Sequence, residues 1–402
     1  MPDHLSFQMR VISETGLGMV IEPLVTIIIP ALNEEKTIGS CLEKVRAGCI
    51  KHNIPFEIII SDSSTDATPE IARSFGARII HPDKKGYGNA YLAAFPMAKG
   101  EIVVIGDADD TYDFSLISEL IRPIKEERAD MVIGSRLKGK ILPGSMPWLH
   151  QYIGNPLLTR LLNFTFHSNF SDTHSGMRAI RKDALQRLSL HTGGMEFASE
   201  MLIEAAKKGL RVEEIPITYY PRKGPSKLHS FADGWRHIRF IMLIRPLRFL
   251  IVPGLLFILL GFSLMVGVGL IKSVELQGLH SFILGDILVL GGLQFLLSGV
   301  VMKSYSVTHQ LDDCGPWFTQ ILQYKTLEKL LFIGVLFMIL GFTSGIYILS
   351  QWITVSGPLT QITNAVLSLS SVIIGLQIIF TALHVSMMLL QCERDGCSGF
   401  MG

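Results

Sequence analysis

The chain lacks a glycine cradle for phosphate. Its first apolar run is followed by Pro30-Ala31-Leu32-Asn33-Glu34-Glu35, with no GxGxxG, and no GxxxxGK[ST] occurs anywhere. These absences exclude a dinucleotide fingerprint and a Walker loop. Gly86-Tyr87-Gly88 is a partial match whose third glycine position is Tyr91, and it reads as the tight start of a helix. Cysteine is scarce: Cys41, Cys49, Cys314, Cys392 and Cys397 are odd in number, scattered, and without CxxC or His/Cys zinc spacing. They read as reduced thiols facing the cytosol. An excess of either charge is also missing, since 36 basic against 35 acidic residues leave a net +1. No basic field exists to gather nucleic acid, which is excluded as a partner. Residues 1–22 show no basic start followed by an apolar core, so they read as a flexible N-terminal tail and not as a cleaved signal.

Hydrophobic residues make up 48% of the chain, more than a wholly water-soluble protein of 402 residues carries. They fall into two grammars that meet near residue 230. From Leu24 to Tyr220, short β-branched runs at Val25–Ile29, Phe56–Ile60, Ala77–Ile80, Ile102–Ile105 and Met131–Ile133 alternate with stretches of helical spacing. Ile38, Leu42 and Val45 form one such stretch, and Leu116, Ile117, Leu120, Ile121 and Ile124 another. Continuously apolar strands are covered on both faces, which predicts an α/β domain with a mostly parallel, Rossmann-like sheet over residues 23–232. Ligands of such sheets collect outside the carboxyl ends of the strands.

Beyond residue 248 come long apolar blocks at 249–271, 282–302, 330–352 and 366–390, each near the ~20 residues that span a bilayer. Four transmembrane helices are expected over 249–392, with a C-terminal tail at 393–402. Arg236, Arg239, Arg245 and Arg248 precede the first block, Lys303, Lys325 and Lys329 separate the second from the third, and Arg394 follows the fourth. The loop after the first holds only Lys272 and that after the third holds no Lys or Arg, so the positive-inside rule places the sheet domain and both termini in the cytosol. Residues 233–248 mix Trp235, Ile238, Phe240 and Ile241 with arginines, as an interfacial amphipathic helix does. Gly341 and Gly345 have a small-xxx-small spacing that reads as ordinary helix contact, although a homo-oligomer stays open. Asp286 is an intramembrane acid expected near a helix end, and the sequons at Asn163 and Asn169 read as chance on a cytosolic face.

Where the fourth run stops, the chain reads Asp107-Ala108-Asp109-Asp110. Carboxylates crowded at a strand end repel unless a hard cation or a basic partner sits among them. Asn33 and Glu34 after the first run and Asp62 after the second converge on the same crevice. A phosphorylated ligand without a glycine loop needs its charge met by metal, and Asp107 and Asp109 are the candidate ligands for Mg²⁺ or Mn²⁺. A nucleoside diphosphate fits that combination.

Taken in order, Pro30 to Glu34, the turn Ser61-Asp62-Ser63-Ser64-Thr65-Asp66-Ala67-Thr68, the DxD at Asp107-Ala108-Asp109, and Gly134-Ser135-Arg136 resemble the signatures of inverting family-two glycosyltransferases of the GT-A fold. With Arg222, Gly224, Ser226, Lys227 and four trailing helices, the chain resembles the polyprenyl-phosphate hexosyltransferases. The resemblance implies transfer of a hexose from a nucleotide-sugar (GDP-mannose, UDP-glucose or UDP-N-acetylglucosamine) to a polyprenyl or dolichyl phosphate at the cytosolic membrane face. By the same resemblance Pro30, Leu32, Glu34, Asp62, Asp107, Ala108 and Asp109 would bind the nucleotide-sugar, and Asp107 and Asp109 the metal. Arg136, Arg222, Ser226 and Lys227 would meet lipid phosphate, with Asp109, Arg136 and Arg222 as catalytic groups. Asp172, Arg178, Glu196 and Glu200 fall in segments that resemble the acceptor side, where structural ion pairs would explain them equally well. Leu32 stands where the family often has an aromatic residue, Ser61 replaces the first of a paired acid, and the residues after Asp109 depart from the pattern that supplies a third metal ligand. The alternatives are a glycan-elongating transferase with a hydroxyl acceptor, although QxxRW is absent, and a non-catalytic lipid-flipping or scaffold protein.

Overall fold

The computed structural model describes residues 22–224, 230–271, 276–309, 311–312, 314–355 and 361–394. Ser226 and Lys227, most of the N-terminal tail and the residues after 394 lie outside the described residues. The chain forms two compact units, Met1–Arg239 and Phe240–Gly402.

The first unit is built on a seven-stranded sheet: β1 (Val25–Ala31), β2 (Phe56–Asp62), β3 (Arg78–Ile80), β4 (Ile102–Ile105), β5 (Met131–Ile141), β6 (Arg178–Arg181) and β7 (Val212–Tyr219), in the order β3-β2-β1-β4-β6-β5-β7. The apolar runs are strands because each of their faces is buried in a separate core. Ile27, Ile29, Ile58, Ile60 and Val104 pack on one side with the helices Ile38–Lys51 and Ile117–Lys125. Ile28, Ile59, Val103 and Ile105 pack on the other with Tyr87–Ala94 and Phe197–Lys207. Each such side chain removed from water contributes roughly 1.5–3 kcal/mol.

Two strands were not expected from the sequence, and one of them is the single antiparallel member of a mostly parallel sheet. β6 runs antiparallel between β4 and β5, pairing Ile105 with Arg178 on one side and Ile133 with Arg178 on the other. Its sequence Arg-Ala-Ile-Arg carries too short an apolar run to read as a strand. β7 holds Glu213, Glu214 and Pro216, and a strand at the sheet edge tolerates a residue with no N–H to donate. β1, β2 and β4 remain parallel neighbours in register, so Asp62, Asn33 and Asp107 leave the sheet along one edge.

In the second unit four helices, Val252–Ile271, Leu276–Thr308, Tyr324–Val355 and Ile362–Arg394, are long and apolar enough to cross a membrane. The first and second form one hairpin, the third and fourth another. In each hairpin glycines bring backbones close: a Cβ on Gly292 would lie 2.6 Å from the Gly254 carbonyl, and one on Gly375 would lie 2.5 Å from the Gly334 carbonyl. Gly341 belongs to this packing, since a Cβ there would meet the Ser368 carbonyl at 2.7 Å. Its spacing therefore serves contact within the chain. The helix expected over 233–248 begins earlier and ends sooner, spanning Ser230–Ile244 before Pro246.

Asp286 is not near a helix end. It lies ten residues past the first residue of Leu276–Thr308, about 15 Å along the axis, and is buried. Ser370 Oγ of the fourth helix donates to its Oδ2 at 2.6 Å. The helix starts before its apolar block does, which is why hydropathy misplaced the acid.

Phe114 is fully buried, and its ring would sit 2.6 Å from a Cβ on Gly106, the residue that follows β4. Phe114→Ala is expected to destabilise the sheet unit by about 3–5 kcal/mol through the cavity it leaves. Chemical denaturation followed by near-ultraviolet circular dichroism measures this, and a loss below about 1 kcal/mol would contradict the packing described.

Candidate active site

At the carboxyl edge of the sheet, the loops after β1 and β2 are tied to each other. Asn33 adopts φ 52°, a left-handed conformation that asparagine tolerates, and its Oδ1 accepts from Thr65 N at 2.8 Å. Asn33 N donates to Ser64 Oγ at 2.7 Å and Glu34 N to Thr68 Oγ1 at 2.8 Å. Asp62 ends β2 fully buried. Its Oδ1 accepts from Ser64 N, while its Oδ2 and the neighbouring Ser61 Oγ have no hydrogen-bond partner. A buried carboxylate oxygen left open costs desolvation that a ligand N–H or O–H recovers. Pro30 pairs in register with Ser61, and Leu32, two residues further on, is exposed.

The paired acids follow β4. Tyr87 Oη donates to Asp107 Oδ1 at 2.9 Å, and Thr111 N and Oγ1 donate to Asp109 Oδ1 at 3.2 and 2.6 Å. Ala108 between them is buried, so the two carboxylates project from a fixed backbone. Burial first, and the charge of Asp109 second, push the Asp107 carboxyl up to about 7. Burial and the Asp107 charge push Tyr87 well above its ordinary range, which keeps its hydroxyl a proton donor. Behind Asp107 the chain leaves no room: a Cβ on Gly176 would lie 2.6 Å from Asp107 Oδ2.

Asp110, the third acid of the cluster, belongs to another interaction. At φ 64° it turns away into a buried position where Lys44 Nζ meets Oδ1 at 2.6 Å, Lys223 Nζ meets Oδ2, and Ser40 Oγ donates at 3.1 Å. Burial opposes its ionisation, but the two lysines hold its carboxyl below the usual range. Asp107 and Asp109 are thus left as a two-carboxylate site. Among the described residues no group of three or more His, Cys, Asp or Glu side chains gathers as a metal cage.

Arg222, in the segment after β7, spans the crevice. Its Nη2 meets Glu34 Oε1 at 2.9 Å and its Nη1 meets Asp109 Oδ2 at 3.3 Å, while its buried Nε has no partner. Arg136 is placed differently from the expected phosphate contact. Its Nε and Nη2 fork onto Asp172 at 2.7 and 2.8 Å, both side chains are buried, and the guanidinium lies 5.2 Å from the Tyr219 ring centre. Burial opposes this charge, but Asp172 holds it firmly protonated, and its field lowers the Asp107 carboxyl. Arg136 therefore faces Asp107 as a fixed buried charge.

The remaining acceptor-side candidates divide. Arg178 donates to the carbonyls of Ser175, Ala198 and Thr173 at 2.9, 2.8 and 3.0 Å and ties the 173–175 segment to the helix Phe197–Lys207. Glu200 accepts from His191 N, Thr192 N and Thr192 Oγ1, fixing the 191–193 turn. Glu196 keeps a buried Oε2 without a partner. Sequence reasoning missed Tyr87, Thr111, Lys44 and Lys223. Thr111 had a readable signal, because an Asp followed two residues on by Thr is a side-chain-to-backbone turn pattern.

Two outcomes follow from this geometry. Gly176→Ala is expected to displace the Asp107 carboxylate and destabilise the sheet unit by about 1–3 kcal/mol in chemical denaturation. Because folded Asp107 keeps its proton up to about 7 against an ordinary 3.8, the metal-free fold binds a proton that the unfolded chain has released. Stability contributed here is lost as pH rises from about 4 to about 7. Asp107→Asn is therefore expected to raise the melting temperature in chelator at about pH 8 more than at about pH 4. An equal change at both would overturn the burial argument.

Residues 26–189 match the family described as Glycosyl transferase family 2, and residues 300–389 match the Glycosyltransferase family 2 C-terminal transmembrane region. The low-salt glycan biosynthesis hexosyltransferase Agl6 of Haloferax volcanii is 42% identical over 373 residues, covering 90% of this chain and 88% of the relative. A dolichyl-phosphate hexose transferase of the same organism is 35% identical over 212 residues, covering 52% of this chain and 88% of the relative. Among solved structures, glucosyl-3-phosphoglycerate synthase from Mycobacterium tuberculosis, in complex with Mn²⁺, uridine diphosphate and glucosyl-3-phosphoglycerate, aligns with a TM-score of 0.45 at 24% identity over 55% of this chain and 79% of that one. With its family-two sheet domain, its C-terminal helices and near full-length likeness to a hexosyltransferase, this chain is a membrane glycosyltransferase of family two.

Proposed function

We propose that the enzyme transfers a hexose, with inversion, from a nucleotide-sugar to the phosphate of a polyprenyl or dolichyl lipid at the cytosolic face of the membrane. The observation that carries this reading is the arrangement along the sheet edge. An open acceptor on Asp62 and an open donor on Arg222 belong to the same row of loops as the Asp107–Asp109 pair. The relative named dolichyl-phosphate hexose transferase and the four apolar helices support a lipid acceptor.

The two carboxylates fit Mg²⁺ or Mn²⁺. They offer hard oxygen donors, and burial with mutual repulsion drives one of them toward protonation, a strain that a divalent charge relieves. Two protein ligands, with the rest of the shell left to phosphate and water, suit an ion that dehydrates reluctantly. When bound, such a cation supplies Lewis-acid stabilisation of the charge that gathers on the departing nucleoside diphosphate.

The chain's own groups do the positioning. Asp62 Oδ2 accepts an N–H or hydroxyl from the base or ribose, and Pro30, Leu32 and Glu34 line the same groove. Tyr87 and Thr111 each hold one carboxylate oxygen, so the pair keeps its spacing without induced movement. Arg222 Nε donates to a phosphate oxygen, a charge-assisted bond stronger than a neutral one. A phosphate acceptor is already ionised near neutral pH and needs little help from a general base. Ser226 and Lys227, three and four residues after Lys223, extend the basic segment that begins with Arg222.

Asp109→Ala is expected to lower transfer by about a thousandfold or more. Arg222→Ala should raise KM for the lipid phosphate about tenfold while changing KM for the nucleotide-sugar less. Purified enzyme given metal, a panel of nucleotide-sugars and polyprenyl phosphate, with mass spectrometry of the glycolipid, tests both and names the sugar. Near-normal turnover by Asp109→Ala would overturn the role given to the carboxylate pair, and product formed only on glycan hydroxyls would replace this reading with the elongating transferase.

A further inference from the structure

The sheet unit carries a helix whose amphipathic order is inverted. The chain winds helically over residues 148–166, first through a π turn at His150–Gly154 and then as the α-helix Asn155–Phe166. Its inner face is partly polar: Thr159 and Thr165 are buried with Leu158 and Leu162, and Thr159 Oγ1 meets Thr173 Oγ1 at 2.9 Å. On its outer face Trp148, Leu149, Tyr152, Ile153, Leu157 and Phe164 are all exposed, and Arg160 is the only other exposed residue of the helix. Trp148 is 65% and Phe164 68% exposed. A helix that faces water has its polar residues outside and its apolar ones within.

The exposed side chains form one surface. Trp148 and Tyr152 lie four residues apart with ring centres 5.8 Å from each other, and Leu149 with Ile153, then Ile153 with Leu157, repeat that spacing. The π turn draws the surface together. Asn155 N donates to the His150 carbonyl, so one extra residue is taken up in that turn. An uninterrupted α-helix, at about 100° per residue, would carry Leu157 and Phe164 nearly opposite Trp148, and the wider turn brings them back toward it.

Charge on this part of the chain has one sign. Between Asp130 and Asp172 the sequence holds no Asp or Glu, while Lys138, Lys140 and Arg160 are exposed. Glu214 of β7 answers Lys138 at 2.7 Å. His150 and His167, near the two ends of the helix, can only add to the positive sign.

These features select the occupant. Two copies of the chain meeting on this face would set Arg160 against a surface without an acid. A phospholipid surface answers each part: the acyl boundary takes Leu149, Ile153, Leu157 and Phe164, the Trp148 and Tyr152 rings are of the kind that collects at membrane–water interfaces, and Arg160 meets lipid phosphate. Such a surface is always at hand for a chain with four helices long and apolar enough to cross a membrane.

We propose that this helix face lies in the headgroup layer of the bilayer and gives the sheet unit a membrane contact of its own, in addition to the helix Ser230–Ile244 and the crossings. The contact keeps the sheet unit close to the surface at which a lipid acceptor presents its phosphate. It requires neither donor nor acceptor, so it stands or falls apart from the proposed transfer.

The test uses the full chain, one copy per phospholipid nanodisc, without nucleotide-sugar or prenyl phosphate. The chain has four tryptophans, so the fluorescence of the unaltered chain minus that of Trp148→Phe isolates Trp148. Brominated acyl chains are expected to quench this difference signal about twofold, and aqueous iodide to quench it weakly. Quenching by iodide and not by bromine would leave the face in water, and protection from both would assign it to contact with protein; either overturns the proposal. Leu157→Asp, a change at an exposed position, should reduce the bromine quenching of Trp148 about threefold with the circular dichroism spectrum unchanged. Undiminished quenching in that variant would mean that Trp148 meets lipid without the rest of the face, and the proposed surface would fall.

Discussion

Two carboxylates one residue apart at the end of a buried strand cannot both ionise without a compensating charge, and much of the sheet unit is arranged around that constraint. Asp107 and Asp109 sit where water is partly excluded, and Asp107 resists ionisation as a result. Compensation arrives from Arg136 in β5 and from Arg222 in the segment after β7. The tyrosine and threonine hydrogen bonds then fix which oxygen of each carboxylate remains available. This is a site kept in tension by its scaffold, ready for a ligand set that includes positive charge.

The scaffold is itself polar and buried. Arg136 and Asp172 form a pair sealed from solvent, and breaking such a pair by removing one partner costs roughly 3–5 kcal/mol. Asp172 begins the segment that passes through His174 to Gly176, whose backbone presses against Asp107. Within it Thr173 Oγ1 meets His174 Nδ1 at 3.0 Å, and burial, then the charge of His237, holds His174 well below the usual imidazole range. His237, in the helix leading to the membrane unit, stands edge-on to His174 at 4.5 Å between ring centres. A continuous line of contacts therefore joins the carboxylate pair to the connecting helix.

The legible parts of the chain were those where one physical requirement dominated. β1, β2 and β4 had to be apolar on both faces, and the carboxyl-edge position of Asp62, Asp107 and Asp109 followed from strand ends alone. Membrane helices announced themselves by length. β6 stayed hidden because its flanking arginines serve buried carbonyls and a surface pair rather than an apolar face. The division of labour between Asp109 and Asp110 was equally hidden. It depends on a left-handed backbone at one residue and on lysines 66 and 113 positions away, which no local pattern reveals. Arg136 looked like a phosphate ligand by motif, while its partner Asp172 is 36 residues distant.

The paired glycines of the membrane unit set how that unit can deform. Where Gly254 faces Gly292 and Gly334 faces Gly375, backbone touches backbone, and sliding one helix past its hairpin partner would drive side chains into carbonyls. Each hairpin behaves as a stiff plank. Yielding motion is left to the seam where the second helix meets the fourth, the seam that Asp286 and Ser370 latch with a single hydrogen bond. Any widening of that seam has to break this bond and open the apolar cluster in which Val300, Val301 and Val307 of the second helix meet Val385 and Leu389 of the fourth.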